Sequence, residues 1–266
     1  VYGVAADVSI AQLFIAGVLP GLLLAGLFSG YIIYWSLRHP DQIPPRDAPM
    51  SFMQKLDASS SLIPVVLLIA AVLGSIYTGF ATATEAAAVG VVGSLALSAL
   101  QGTMSWSVFK DALMGATRLY CMIALILAGA AFLTLSMGYI GLPRHLAEWI
   151  GGLGLSPFAL IMALMVFFII LGCFLDGISM VVLTMGVLMP TVQKAGIDPI
   201  WFGIFIVFVV EMAQITPPVG FNLFVLQGMT GKQLPYIARV SMPMFFLMVG
   251  AVLLIYFVPG IVTWLP

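Results

Sequence analysis

Long apolar runs alternate with short polar ones along almost the whole chain. A helix needs about 20 apolar residues to cross a bilayer. Five stretches meet or approach that length: residues 13–37, 62–80, 82–100, 119–137 and 241–262. The polar stretch RHPDQIPPRDAPMSFMQKLDASS, residues 38–60, separates the first two. Its prolines predict irregular backbone, and SFMQKL predicts a short helix at the membrane surface. Further polar connections fall at 101–118 and 138–157. Two regions break the alternation. Residues 158–171 and 178–189 are apolar but short, about 18–21 Å of helix each against a ~30 Å hydrocarbon core. Joined by GCFLDG, they predict a re-entrant hairpin, 158–189, entering from outside with its tip at CFLDG; two complete spans would satisfy the same chain parity. Residues 200–229 are the second region, an apolar helix interrupted by ITPPVGFN.

The basic residues orient these spans. With each full segment crossing once, Arg38, Arg46, Lys55, Lys110, Arg118, Lys232 and Arg239 share one side, and Arg144 and Lys194 the other. The richer side faces the cytoplasm, which puts Val1 and Pro266 outside. Five zones follow: 1–37, the end of a first repeat and a transmembrane helix; 38–60, a cytoplasmic connection; 61–118, scaffold-type helices and a cytoplasmic loop; 119–229, a second-repeat core holding the hairpin and the broken helix; and 230–266, a cytoplasmic turn and the last span. The stretch from Gly3, GVAADVSIAQLFIAGVLPGLLL, resembles that from Gly228, GMTGKQLPYIARVSMPMFFL, each with a proline (Pro20, Pro243) expected early in a helix. The tracing sets the two in opposite orientations, as inverted repeats of secondary transporters are.

Composition agrees with this picture. Of 266 residues 62% are hydrophobic and 7% charged, where soluble domains carry about 25% charge. Mean hydropathy is +1.19. The chain is an all-α polytopic membrane protein in contact with the lipid bilayer. A net charge of -1 offers no basic surface for nucleic acid. Cys121 and Cys173 lie in apolar runs without metal spacing and read as packing residues; His39 and His145 lie in polar connections. No HExxH, spaced acid pair or nucleophile elbow is present, so no enzyme is expected. The opening VYGVAADVS has neither initiator Met nor signal peptide, and the chain reads as the C-terminal part of a longer one.

Chemistry concentrates at three places. Pro217 and Pro218 lack amide donors, so carbonyls one turn earlier lose their partners; Gly220 permits a bend, and Thr216 and Asn222 flank the gap with side-chain oxygens. Irregular backbone survives at membrane depth only against protein or a wet cavity. Bare carbonyls with Thr and Asn oxygens suit a hard cation such as sodium, and a half-helix starting near Val219 would attract an anion. A kinked helix healed by its neighbours is the competing reading. At the hairpin tip, Asp176 stands between apolar arms, with Gly172 and Gly177 for close approach and Ser179 and Thr184 on the descending arm. Either Asp176 lines a pathway or FLDG is an outer turn in water. The third place is GFATATEAAAVG, residues 79–90, which reads as a helix start with Thr84 as cap and Glu85 at the positive end, followed by small residues suited to close packing. Glu211 lies before the break and either hydrogen-bonds Gln214 or a facing helix, or acts in coupling.

Taken together, these residues resemble the large membrane subunit (M) of tripartite ATP-independent periplasmic, or TRAP, transporters, over essentially the whole chain. GSIYTGFATATEAAAVG resembles that family's helix-start segment, GCFLDGISMVVLTMGVLMP its second hairpin, and GIDPIWFGIFIVF through ITPPVGFNLFV its most specific motif. Ala83 stands where the family usually has Pro, and Gly186 where Pro often follows the hairpin Thr.

The resemblance implies an inverted-repeat, elevator-type secondary transporter in the bacterial inner membrane, importing an organic acid with sodium. Its implied partners are a small membrane subunit (Q) and a periplasmic substrate-binding protein (P). The implied substrate and ion residues are Thr216, Pro217, Pro218, Val219, Gly220 and Asn222 with Gly172, Asp176, Gly177, Ser179 and Thr184. Sodium is expected at Thr216, Gly220, Gly177 and Thr184. Alternatives are a stand-alone dicarboxylate/sodium symporter without a binding protein, or an ion channel, although two isolated polar spots suit an occluded site better than a pore.

Overall fold

The structure, a computed structural model, describes all residues except 43–50, 61, 142–144, 146, 147, 150, 151, 173, 218 and 219. Among the described residues every regular element is helical. Five helical stretches are long and apolar enough to span a membrane: Ile10–Arg38, Ala83–Leu100, Trp106–Ile140, Gly177–Lys194 and Leu234–Phe257. The chain divides into two compact units, Val1–Ile33 with Met122–Pro266, and Tyr34–Cys121.

In the second unit, α4 (Phe52–Ser60) is the short helix predicted from SFMQKL, and it packs on α5 (Ile63–Tyr77). Helices α5 and α6 (Ala83–Leu100) form an antiparallel pair. Gly93 lies against Leu68, and Gly90 admits Val72 to 3.4 Å of where a Cβ would stand, so the small residues do serve close packing. The helix start differs from expectation. Thr82, not Thr84, is the N-cap: its hydroxyl accepts the Glu85 N–H at 3.3 Å, and the Glu85 carboxylate accepts the Thr82 N–H at 2.8 Å. A capping box sets the acid three positions after the cap, and only Thr82 has that spacing to Glu85. Helix α7 (Trp106–Ile140) begins in this unit and runs back through polar residues expected in a loop. Its 35 residues extend about 52 Å at the helical rise. Cys121 on α7 is exposed; Cys173 and Arg144 lie outside the described residues.

In the first unit, α1 (Tyr2–Ala5), α2 (Ile10–Ala16) and α3 (Val18–Arg38) precede the core helices α8 (Pro157–Gly172), α9 (Gly177–Lys194) and α10 (Pro199–Gln214). The broken helix continues as α11 (Phe221–Thr230), followed by α12 (Leu234–Phe257) and α13 (Gly260–Thr263). Helix α10 is the hub. Trp201, Phe202, Ile204, Phe205, Ile206, Phe208, Val209, Met212 and Ala213 are all buried, so it is enclosed on nearly every side by α2, α8, α9, α12 and α13. Its start is set by Asp198, whose carboxylate accepts the Trp201 N–H at 2.8 Å, and by Pro199 in the first turn, where no amide donor is needed. Trp201 donates its indole N–H to the Ile255 carbonyl at 3.0 Å, tying α10 to α12. Tyr2 donates to the Pro199 carbonyl at 2.6 Å. Burial and the Asp198 carboxylate push its phenol well above the usual range, so it remains a donor. Gly203 leaves room for the Tyr2 ring and Leu13; a Cβ there would stand 2.6 Å from the Tyr2 Cε1.

Two expectations change here. Helix α9 does not stop at Met189 but passes Pro190 and ends at Lys194, so its 18 residues reach about 27 Å, and the short-arm argument holds better for α8. Pro190 costs one main-chain hydrogen bond, which packing of the neighbouring buried Leu188, Met189 and Val192 offsets. Pro243 is not early in its helix either, because α12 begins at Leu234; Pro20 is, as the third residue of α3.

Candidate functional site

The hairpin tip is built by a sharp helix stop and a capped restart. Helix α8 ends at Gly172, and the Leu171 carbonyl accepts the N–H groups of Phe174 (3.0 Å) and Leu175 (3.1 Å). Asp176 is the N-cap of α9. One carboxylate oxygen accepts the N–H groups of Ile178 and Ser179, each at 3.1 Å, and the other accepts the Ser179 hydroxyl. A negative charge at a helix N-terminus satisfies otherwise orphaned donors. Asp176 therefore has a local structural task beside any role in a pathway, one that Asp followed three residues later by Ser already signals. Thr184, half-buried two turns along α9, donates its hydroxyl to the Met180 carbonyl at 2.8 Å.

Gly172 and Gly177 press this tip onto the last turns of α10. A Cβ on Gly172 would collide with the Ala213 side chain, and one on Gly177 would stand 2.6 Å from Val210 Cγ1 and 3.3 Å from the Gln214 amide nitrogen. Glycine is required at both because neighbouring atoms occupy the side-chain volume.

The break itself heals in part. After α10, the Ile215 N–H bonds Met212 O at 3.3 Å, the Thr216 N–H bonds Ala213 O at 3.1 Å, and the Thr216 hydroxyl donates to Met212 O at 2.6 Å. Ala213, which would bond residue 217 in a continued helix, thus finds a substitute donor. The Gln214 carbonyl, whose helical donor would be Pro218, turns toward Gly220. There a Cβ would meet Gln214 O at 2.7 Å, Thr216 O at 2.9 Å and Thr216 N at 3.0 Å. Gly220 is buried in this main-chain cradle and is the N-cap of α11, which starts at Phe221 rather than near Val219. Pro218 and Val219 themselves lie outside the described residues. No side chain caps α11; the Leu223 N–H turns back to the Gly220 carbonyl at 2.9 Å, and the Gly220 N–H to the Thr216 carbonyl at 3.1 Å. Asn222, in its first turn, donates to Glu211 at 3.5 Å. Among the described residues, the partner of Glu211 is thus Asn222 on α11.

The tip and the break are adjacent, and Gln214 joins them: its amide lies over Gly177 while its carbonyl lies over Gly220. Sequence reading named Gln214 only as a neighbour of Glu211. Its position one turn before two prolines marks its carbonyl; nothing in the sequence marks its amide. Chemically, the region offers main-chain and hydroxyl oxygens, one capped carboxylate and an uncapped helix N-terminus. Among the described residues no group of three His, Cys, Asp or Glu side chains could hold a metal ion.

Residues 1–261 match the family described as the tripartite ATP-independent periplasmic transporter, DctM component. The chain belongs to the DctM family. The C4-dicarboxylate TRAP transporter large permease protein DctM of Pseudomonas aeruginosa is 33% identical over all of this chain and 62% of its own length. The isethionate TRAP transporter permease protein DctMQ of Oleidesulfovibrio alaskensis is 31% identical over 98% of this chain and 41% of its own. The ectoine/5-hydroxyectoine permease UehC of Ruegeria pomeroyi is 30% identical over 100% and 61%. The chain therefore spans less than two thirds of the length of these DctM relatives. The family is described as one component of a tripartite periplasmic transporter.

Proposed function

We propose that this chain forms part of a sodium-coupled secondary transporter that imports a small organic acid across the bacterial inner membrane. A periplasmic binding protein delivers the acid, and a small membrane subunit, separate or fused, braces the permease. The observation that carries this reading is the packing of Gly172 and Gly177 against Ala213, Val210 and Gln214, which brings the two interrupted segments together. Sodium is held among Thr216, the Gly220 cradle, Gly177 and Thr184, and the acid's carboxylate meets the N-terminal turn of α11 beside Asn222. Ion binding orders the oxygens that the break leaves bare, giving the loaded state the differential affinity that coupling needs. The hairpin is re-entrant, and the first unit moves as an elevator within an inverted-repeat body.

The test is uptake into proteoliposomes holding the full-length permease with its small subunit and binding protein. An inward sodium gradient drives accumulation. Thr216→Ala, Asn222→Ala and Asp176→Ala each lower it about tenfold or more at equal membrane insertion. Normal uptake by all three overturns the site, and accumulation that ignores the sodium gradient overturns the coupling. Accumulation without the binding protein marks a stand-alone carrier instead.

A further inference from the structure

Helix α11 has a different footing from the helices around it. Its fully buried Leu223 packs with Ile237 and Ala238 of α12 in a small core separate from the large one around α10. Ile215, just past the end of α10, borders both cores. Farther along α12 comes Pro243, which removes a main-chain hydrogen bond from the helix interior. Beyond it Met248, Ala251, Val252 and Ile255 join the large core. Residues 221–242 thus form a two-helix flap with its own apolar seam, bounded by the Gly220 turn and by Pro243.

One side-chain contact reaches from the first turn of this flap back to α10. Asn222 donates its amide to Glu211 at 3.5 Å, across eleven residues of sequence. Glu211 is itself exposed, beside buried Met212 and Ala213 in an otherwise apolar stretch. A carboxylate at membrane depth is costly and is kept where it has work. The distance is at the long end for a hydrogen bond, and the carboxylate charge strengthens it. Such a contact can hold an angle and still release it.

We propose that Glu211 is a positioning residue: its carboxylate latches Asn222 across the break and fixes the angle of the 221–242 flap over the site. The proposal rests on the transport reading only in counting Asn222 as a site residue.

The experiment places spin labels at Val207 on α10 and Val225 on α11, both exposed, in the full-length permease in lipid nanodiscs. Pulsed dipolar spectroscopy measures the distance between them. The parent gives a narrow distribution, and Glu211→Gln, whose amide oxygen still accepts, keeps it narrow. Glu211→Ala broadens it, as does Asn222→Asp, which sets two carboxylates face to face. The double exchange Glu211→Gln with Asn222→Asp reverses donor and acceptor and restores the narrow distribution, which a merely structural glutamate would not do. In uptake, Glu211→Ala raises KM about tenfold with maximal rate within about twofold. An unchanged distribution in Glu211→Ala, or a double exchange that stays broad, overturns the latch. If Glu211→Ala does not fold, Asn222→Asp and its rescue decide the question alone. Absence of sodium-driven uptake in a parent whose labels respond as described overturns the transport reading and leaves the latch standing.

Discussion

Helices α7 and α10 are both strongly apolar, yet they are opposites. Helix α7 runs unbroken for 35 residues and none of its most apolar window is buried within the chain. Helix α10 stops after 16, is buried along nearly its whole length, and ends in a turn whose main-chain oxygens close around Gly220. The difference follows from what each touches. A helix facing lipid must satisfy every amide and carbonyl within itself, so it cannot be interrupted. A helix wrapped by protein can be, because neighbouring groups enclose the loose oxygens. The polar site is where it is because α10 is the most enclosed element of the fold.

The largest test of that contrast places the same substitution in both helical settings. Gly177→Val drives a side chain into Val210 and Gln214, parting the hairpin tip from α10; uptake falls at least about a hundredfold. Gly129→Val on α7, where a Cβ meets nothing within 4 Å, leaves uptake unchanged. Equal losses from both would end the comparison. Next comes Gly220→Ala, whose added methyl meets main-chain atoms that cannot swing aside. Uptake falls about tenfold and the sodium concentration for half-maximal rate rises; an unchanged sodium dependence would mean that the cradle holds no ion. Tyr2→Phe removes the bond to Pro199 at the far end of α10 and lowers unfolding stability by about 1 kcal/mol, read as a lower midpoint in a thermal unfolding assay in detergent. The smallest effect belongs to the second unit, where Thr82→Ala removes the α6 cap. The cost is about 0.5–1 kcal/mol, again read from the unfolding midpoint, with no change in transport.

Much of the fold was legible because hydrophobic run length and proline act locally. The run from 13 to 37, the helix inside SFMQKL and the interruption at ITPPVGFN needed only pattern and covalent chemistry. Helix ends were harder. Thr84 and Thr82 compete for the same cap, and the spacing to Glu85 decides between them. Pro190 and Pro243 sit inside α9 and α12 because packing outweighs one missing bond, which no local rule announces. At the site, the glycines and prolines could be named from sequence, but their partners could not. That Gly172 meets Ala213, and that Glu211 meets Asn222, depends on how helices far apart in sequence are set side by side.

Gln214 contributes an amide to one interrupted segment and a carbonyl to the other. Whatever draws on its carbonyl tilts the same peptide unit that carries its side chain, so occupancy on one side changes the energy of occupancy on the other. Thermodynamic reciprocity then applies: the factor by which a bound contact at the break strengthens one at the tip is the factor by which the tip strengthens the break. A single glutamine is enough to tie the two interrupted segments together.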